Sequence, residues 1–229
     1  MDGATLIVGG TSGIGLELAR ECVRLGREVV ISGRSAPRAE RIAAELGGGA
    51  KGIGFDLSET EEIGGALAGV GPVRDLVVTA IERDSNHIAE YDKKAAQRLV
   101  TLKLVGYPEV VHHLVPRFVA DASIVLFGGL AKERPYPGST TVSTVNGGVS
   151  GLVRTLACEL APVRVNALHP GIVGDSPYWE GKPLDAVIDR TPIGRLVTMG
   201  EVVEATMFLL GCGAVNGVDL FVDGGWMVR

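Results

Sequence analysis

The stretch that most constrains this chain is residues 4–15, ATLIVGGTSGIG. An apolar run, Leu6-Ile7-Val8, meets glycines at positions 9, 10, 13 and 15, and an amphipathic segment starting at Ile14 follows at once. That order reads as a buried strand, a tight turn and the first turn of a helix. Glycine lets the backbone take positive φ and leaves no Cβ between the turn and a ligand. The helix start adds free N–H groups and a positive dipole end, which suit a pyrophosphate. Alone, the cluster is a tight strand-to-helix turn. Its weight comes from being the first of a series.

Strand-like and helix-like segments alternate along the rest of the chain. Strands are predicted at 4–9, 28–32, 51–55, 73–79, 123–127, 163–168 and 219–222, and helices at 13–25, 37–46, 58–68, 89–119, 142–160 and 201–210. Gly26 is a helix stop, Ser58 with Glu61 fits a capping box, and Pro108 is expected to bend the fourth helix. Such alternation implies an α/β fold. The expectation is one Rossmann-like domain over 1–229, a doubly wound parallel sheet of about seven strands with helices on both faces. Ligands of such sheets bind beyond the carboxyl ends of the strands. A length of 229 residues, 46% hydrophobic, suffices for one sizeable core. The net charge of −5, with dispersed charges, gives no reason to expect nucleic acid or an anionic membrane as partner. No apolar run reaches membrane-spanning length. Cys22, Cys158 and Cys212 make neither a disulfide framework nor a metal spacing, and Met1-Asp2-Gly3 leads straight into strand-like sequence. A cytoplasmic protein without metal is therefore expected.

The chain resembles the short-chain dehydrogenase/reductase family over nearly its whole length. The family pattern Gly-x-x-x-Gly-x-Gly is matched by Gly9, Gly13 and Gly15, with Thr11, Ser12 and Ile14 inside the turn; Val8 stands where the family usually has Thr. Asp56-Leu57 resembles the adenine contact, although Asp56 could instead start the next helix. Arg164-Val165-Asn166-Ala167 followed by Pro170-Gly171-Ile172 resembles the sixth strand and nicotinamide loop, with Ser176 placed for the carboxamide. Val222-Asp223-Gly224-Gly225 resembles the C-terminal signature. Thr79-Ala80-Ile81-Glu82 replaces the usual Asn-Asn-Ala-Gly. The resemblance implies a nicotinamide dinucleotide. An NAD site usually ends its second strand with an acid that accepts from the ribose hydroxyls. Here that end reads Val30-Ile31-Ser32-Gly33-Arg34-Ser35. Arg34 can pair with a 2′-phosphate, and Ser12, Ser32 and Ser35 can add hydroxyls. NADP(H) is therefore preferred over NAD(H), on the missing acid more than on the arginine. The alternative is a solvated Arg34 and no discrimination.

The family's reaction uses Tyr-x-x-x-Lys on one helix face, a Ser thirteen residues before the Tyr, and an Asn on the fourth helix. Aligned through 151–161, the Tyr position falls on Val142, the Lys on Asn146 and the Ser on Gly129, while Lys103 replaces the Asn. Lysine and asparagine have exchanged places. Lys103 in the crevice could act as acid or base, its pKa lowered by burial. The alternative, slightly favoured, has Lys103 reaching solvent or packing at a subunit interface. Asp175 is a second acid–base candidate. His87, the loop Lys132-Glu133-Arg134 with Tyr136, and His169 lie near the expected substrate mouth. A lid is expected at about 175–198, where Tyr178 and Trp179 line a pocket or pack the lid down. The resulting expectation is an NADP(H)-dependent oxidoreductase of a small carbonyl or alcohol with a non-standard acid–base set. The alternative is a non-redox protein on the same fold, a sensor, structural binder, isomerase or cyclase. The resemblance further implies a small-molecule substrate and a homodimer or homotetramer.

Overall fold

The computed structural model describes residues 3–228; Met1, Asp2 and Arg229, and with them the start of the chain discussed above, lie outside the described residues. Seven strands are present: β1 (Ala4–Val8), β2 (Val29–Gly33), β3 (Lys51–Gly54), β4 (Val73–Val78), β5 (Phe118–Phe127), β6 (Arg164–Pro170) and β7 (Asp219–Val222). They form one sheet in the order β3-β2-β1-β4-β5-β6-β7, every pair parallel. The order reverses between β1 and β4, which opens a crevice at their carboxyl ends. The helices are α1 (Gly13–Arg24), α2 (Ala36–Leu46), α3 (Thr60–Leu67), α4 (Lys93–Val100), α5 (Tyr107–Leu114), α6 (Thr140–Glu159), α7 (Asp185–Ile188) and α8 (Met199–Gly211).

Alternation along the strands feeds two cores. Leu6, Val8, Leu76, Val78, Ile124 and Leu126 face α3, α5 and α6 through Ile63, Leu67, Val110, Leu114, Val149 and Val153. Ile7, Ile31, Val77, Val125 and Leu168 face the other way, onto Leu18, Ala19 and Cys22 of α1, Ile42 of α2, and Val202 and Leu209 of α8. Strands buried on both faces explain the near-continuous apolar runs of the central sheet.

Three expectations are corrected. The long fourth helix is not one α-helix: α4 and α5 are joined by a π-helical segment, Thr101–Gly106. Pro108 has no N–H to donate to the carbonyl four residues earlier, and the widened turn immediately before it absorbs that misfit. The helical run ends by Arg117, and β5 begins at Phe118 rather than Ser123, with a register shift in its pairing to β4. Ser58 does not cap α3. Its N–H and hydroxyl both donate to Asp56 Oδ1, at 2.9 and 2.8 Å, because the carboxylate is the stronger acceptor.

Candidate active site

The glycine turn closes tightly on its surroundings. Gly9 has φ +90°, and a Cβ there would stand 2.7 Å from Ala80 N. Thr79 Oγ1 donates to Val8 O and Gly9 O, at 3.2 and 3.3 Å, so the loop after β4 braces the turn from below. Gly13, at φ +52°, faces open space. Ser12 stands at the start of α1 and makes no side-chain cap, so the first N–H groups of that helix have no side-chain acceptor there. Arg34 and Ser35 are exposed at the end of β2, and Ser35 likewise leaves the start of α2 without a side-chain cap. Ser32 departs from its expected place: it is 1% exposed, and its carbonyl accepts from the N–H groups of Gly9 and Gly10. Its strand position turns the hydroxyl inward, so its contribution is to hold the turn.

Asp56 is engaged by a residue the sequence did not single out. Arg98 of α4 donates to Asp56 Oδ2 at 2.8 Å and to Glu82 at 2.7 Å, and lies 3.9 Å from Glu59. Burial pushes the Asp56 carboxyl up, but hydrogen bonds from Ser58 and Arg98 more than offset this and hold it below its ordinary value. Leu57 is buried, and its carbonyl fills the space a Cβ on Gly106 would need. Ala80 O accepts from Tyr107 Oη at 2.8 Å.

Lys103, Gly129, Val142 and Asn146 all line one cavity of about 660 Å³. The same cavity reaches Ile14, Thr79 and Ile81 on one side and Pro170, Gly171, Ile172 and Ser176 on the other. Lys103 does not reach solvent. It is 2% exposed, and its Nζ donates to Asn146 Oδ1 at 3.0 Å and to Phe127 O at 3.1 Å. Burial alone pushes its ammonium down to about 8. The outcome reverses the slight preference for a solvated lysine, because the π-helical segment carries Lys103 and Leu102 on its buried side. Lys103 and Asn146 are thus in direct contact. Gly129 belongs to it sterically: a Cβ there would stand 2.8 Å from Asn146 Nδ2. Val142 adds an apolar wall with no proton to give.

Asp175 falls outside this cluster. It is exposed, and its Oδ1 accepts from Met199 N at 2.8 Å. It joins the capping box of Thr198 and Glu201 at the start of α8 and does not line the cavity. His169 is fully buried beside the site. Its Nε2 bonds Asp219 Oδ1 at 2.8 Å and its Nδ1 accepts from Gly129 N at 3.0 Å, which assigns the proton to Nε2. Asp219 also gathers Ser150 at 2.9 Å, Lys132 at 3.2 Å and Arg154 at 3.3 Å. Sequence order hid this junction, since its members lie up to 87 residues apart.

Residues between 176 and 197 form part of the cavity wall. Tyr178 and Trp179 line the cavity with Val187, Thr191 and Leu196. The guanidinium of Arg83 lies 3.4 Å from the Tyr178 ring centroid, and Lys182 Nζ lies 3.2 Å from it. Arg134 and Tyr136 line the cavity, whereas Lys132 is drawn to Asp219, and His87 lies in a separate, open depression. Among the described residues no group of three His, Cys, Asp or Glu side chains is placed to hold a metal ion, and no helix is long and apolar enough to cross a membrane.

Comparison with known proteins covers nearly the full length. A family model described as enoyl-(acyl carrier protein) reductase matches residues 8–227. The inactive 2-(S)-hydroxypropyl-CoM dehydrogenase 2 of Xanthobacter autotrophicus is 29% identical, over 91% of this chain and 98% of that one. A solved short chain dehydrogenase/reductase family protein superposes with a TM-score of 0.87 at 31% identity, covering 100% of this chain and 99% of its own. A variant of actinorhodin polyketide ketoreductase, solved with NADPH, gives 0.89 at 28% identity, covering 100% and 98%.

Proposed function

The chain belongs to the short-chain dehydrogenase/reductase family of oxidoreductases, and from that premise we propose that it moves hydride between NADP(H) and a small carbonyl or alcohol, with Lys103 handling the proton. The residues present fit a dinucleotide. The open face at Gly13 and the uncapped start of α1 suit a pyrophosphate held by Gly9, Thr11, Ser12, Gly13, Ile14 and Gly15. Asp56 and Leu57, after β3, would contact the adenine, and Thr79, Ala80 and Ile81, after β4, would flank the dinucleotide. Pro170, Gly171, Ile172 and Ser176 would take the nicotinamide end. NADP(H) is favoured over NAD(H) by exposed Arg34 and Ser35 and by the absence of an acid at the end of β2. A bound nicotinamide dinucleotide supplies or takes up the hydride.

The observation that carries the proposal is the Lys103 ammonium. It has three N–H donors, of which two are spent on Asn146 and Phe127, and it lines the cavity. The third can donate to a substrate oxygen. In reduction that proton passes to the carbonyl oxygen as the alcohol forms, leaving a neutral amine that water reprotonates. In the reverse direction the neutral amine takes the alcohol proton. Asn146 and the Phe127 carbonyl hold Nζ in place through both states. Incubation with NADPH and a panel of carbonyl compounds, followed at the cofactor absorbance, tests this. Turnover is expected, and Lys103→Met lowers kcat by about 10²–10⁴-fold. Undiminished turnover in Lys103→Met removes the lysine from the mechanism.

Two observations favour a second reading, an NADP(H) binder without hydride transfer. Val142 provides no acid where the family's tyrosine is expected, and a relative at 29% identity is named inactive. Tight NADPH binding with no turnover across the panel selects it. Assembly as a homodimer or homotetramer follows from the family resemblance, and Val105 and Val115, exposed on the α4–α5 run, are apolar groups such an interface would cover. Sedimentation equilibrium checks it.

A further inference from the structure

The cavity wall carries cations that no carboxylate satisfies. Arg83, in the loop after β4, makes no ion pair among the described residues; its contacts are the rings of Tyr178 and Trp179, at 3.4 and 5.7 Å. Burial works against its guanidinium, which is held below its ordinary value with no carboxylate beside it. Arg134 donates to the Trp226 carbonyl and lies 5.0 Å over that ring, again with no acid. Lys182 leans on the same two lid rings. Two carboxylates share the wall. Asp223 is spent on the N–H groups of Gly225 and Met227, and Asp84 keeps one oxygen buried without a partner. Neither meets Arg83. Elsewhere on this chain arginines pair readily, as Arg20, Arg24, Arg27, Arg98 and Arg195 do. A guanidinium fork left over at the mouth of a cavity is suited to a planar anion.

We propose that the cavity takes a small substrate bearing an anionic group, held by Arg83 with Arg134, its apolar or aromatic part against Tyr178, Trp179 and Trp226. The proposal rests on reading this cavity as the substrate site. Its chemistry is a carboxylate, phosphate or sulfonate on a compact, partly apolar body. The cation–π contact makes the anion and the lid interdependent, because Arg83 holds Tyr178 and would hold the anion with the same group.

The molecule supplies its own reporter. The sequence has two tryptophans, Trp179 and Trp226, and both line this cavity. A ligand that enters quenches them. The experiment titrates intrinsic fluorescence with NADP+ present, which prevents reduction of a carbonyl. The ligands are benzoylformate, phenyl phosphate and benzenesulfonate, each paired with a neutral counterpart: methyl benzoylformate, dimethyl phenyl phosphate and benzenesulfonamide. At least one anion is expected to bind about tenfold or more tighter than its neutral partner, since an ionic hydrogen-bonded contact is gained. The tightest of the three identifies the anionic group. Arg83→Met should erase the preference while leaving the neutral ligand within about twofold, and Arg83→Lys should keep part of it, because charge remains and the fork does not. Equal binding of acids and neutral partners, or a preference that survives both Arg83→Met and Arg134→Met, overturns the inference. Failure of NADP+ itself to bind overturns the cofactor reading instead, and the same titrations without cofactor then decide the anion preference.

Discussion

Lys103 titrating near 8 acts in opposite senses on the two directions of the proposed reaction. Reduction needs the ammonium, so its rate is expected to fall as pH rises through about 8. Oxidation needs the neutral amine and should rise through the same pH; a profile flat across pH 7–9 in both directions would contradict the assignment. The same displacement affects folding. The unfolded lysine holds its proton up to its ordinary value of 10.5, so between about 8 and 10.5 the unfolded chain binds more protons and stability rises with pH. Comparing parent with Lys103→Met by urea denaturation should show this slope in the parent alone, worth at most about 3 kcal/mol over the window. Gly129 gives a second test. Gly129→Ser brings a Cβ to 2.8 Å from Asn146 Nδ2 and should cost about 1–3 kcal/mol, with Asn146→Ala recovering part of it. The sequence singled out Lys103 and Asn146 as candidate site residues. That the two side chains touch was not legible there, because a lysine stem can run inward or out and only the surrounding packing decides. Asp175 was misplaced for a related reason: next to a loop and a helix start, a carboxylate finds backbone N–H groups before it finds a pocket.

At the level of elements, the sheet and its helices were readable because buried parallel strands announce themselves as short apolar runs between glycines. What escaped were features set by competition between neighbours, such as the π-helical widening before Pro108 and the early start of β5. The Asp219 junction is the other. It joins β7 to His169 of β6 and to Ser150 and Arg154 of α6. Burial lowers the His169 pKa, and the bond to Asp219 only partly restores it. The unfolded histidine therefore protonates first as pH drops below 6.5, and this contribution to stability, full above 6.5, is lost on acidification. His169→Gln should flatten that part of the stability curve. Asp219→Ala should destabilise by about 3–5 kcal/mol, since Lys132 and His169 lose a buried partner. Chemical denaturation between pH 5 and 8 measures both. His169 is a positioning residue, fixing the Gly129 N–H beside the cavity without reaching it.

For the whole molecule, one cavity takes contributions from the segments after β1, β4, β5, β6 and β7, so a ligand bound there should stabilise the entire sheet. NADPH at about 100 times its Kd adds about 2.7 kcal/mol to unfolding, and a thermal shift that NADH does not match at equal concentration would bear out the Arg34 argument. Arg34→Ala should weaken NADPH binding by about tenfold and leave NADH nearly unchanged; equal losses for both would point to a merely structural arginine. The fit of Gly129 against Asn146, and of Asn146 against Lys103, also bears on descent. A serine at 129 collides while Asn146 remains, and a lysine at 146 meets Lys103 head-on while that residue remains. Gly129→Ser and Asn146→Lys are thus each opposed by a neighbour that must change with them. Change at these three positions is therefore expected to be concerted, one substitution altering what the next can tolerate.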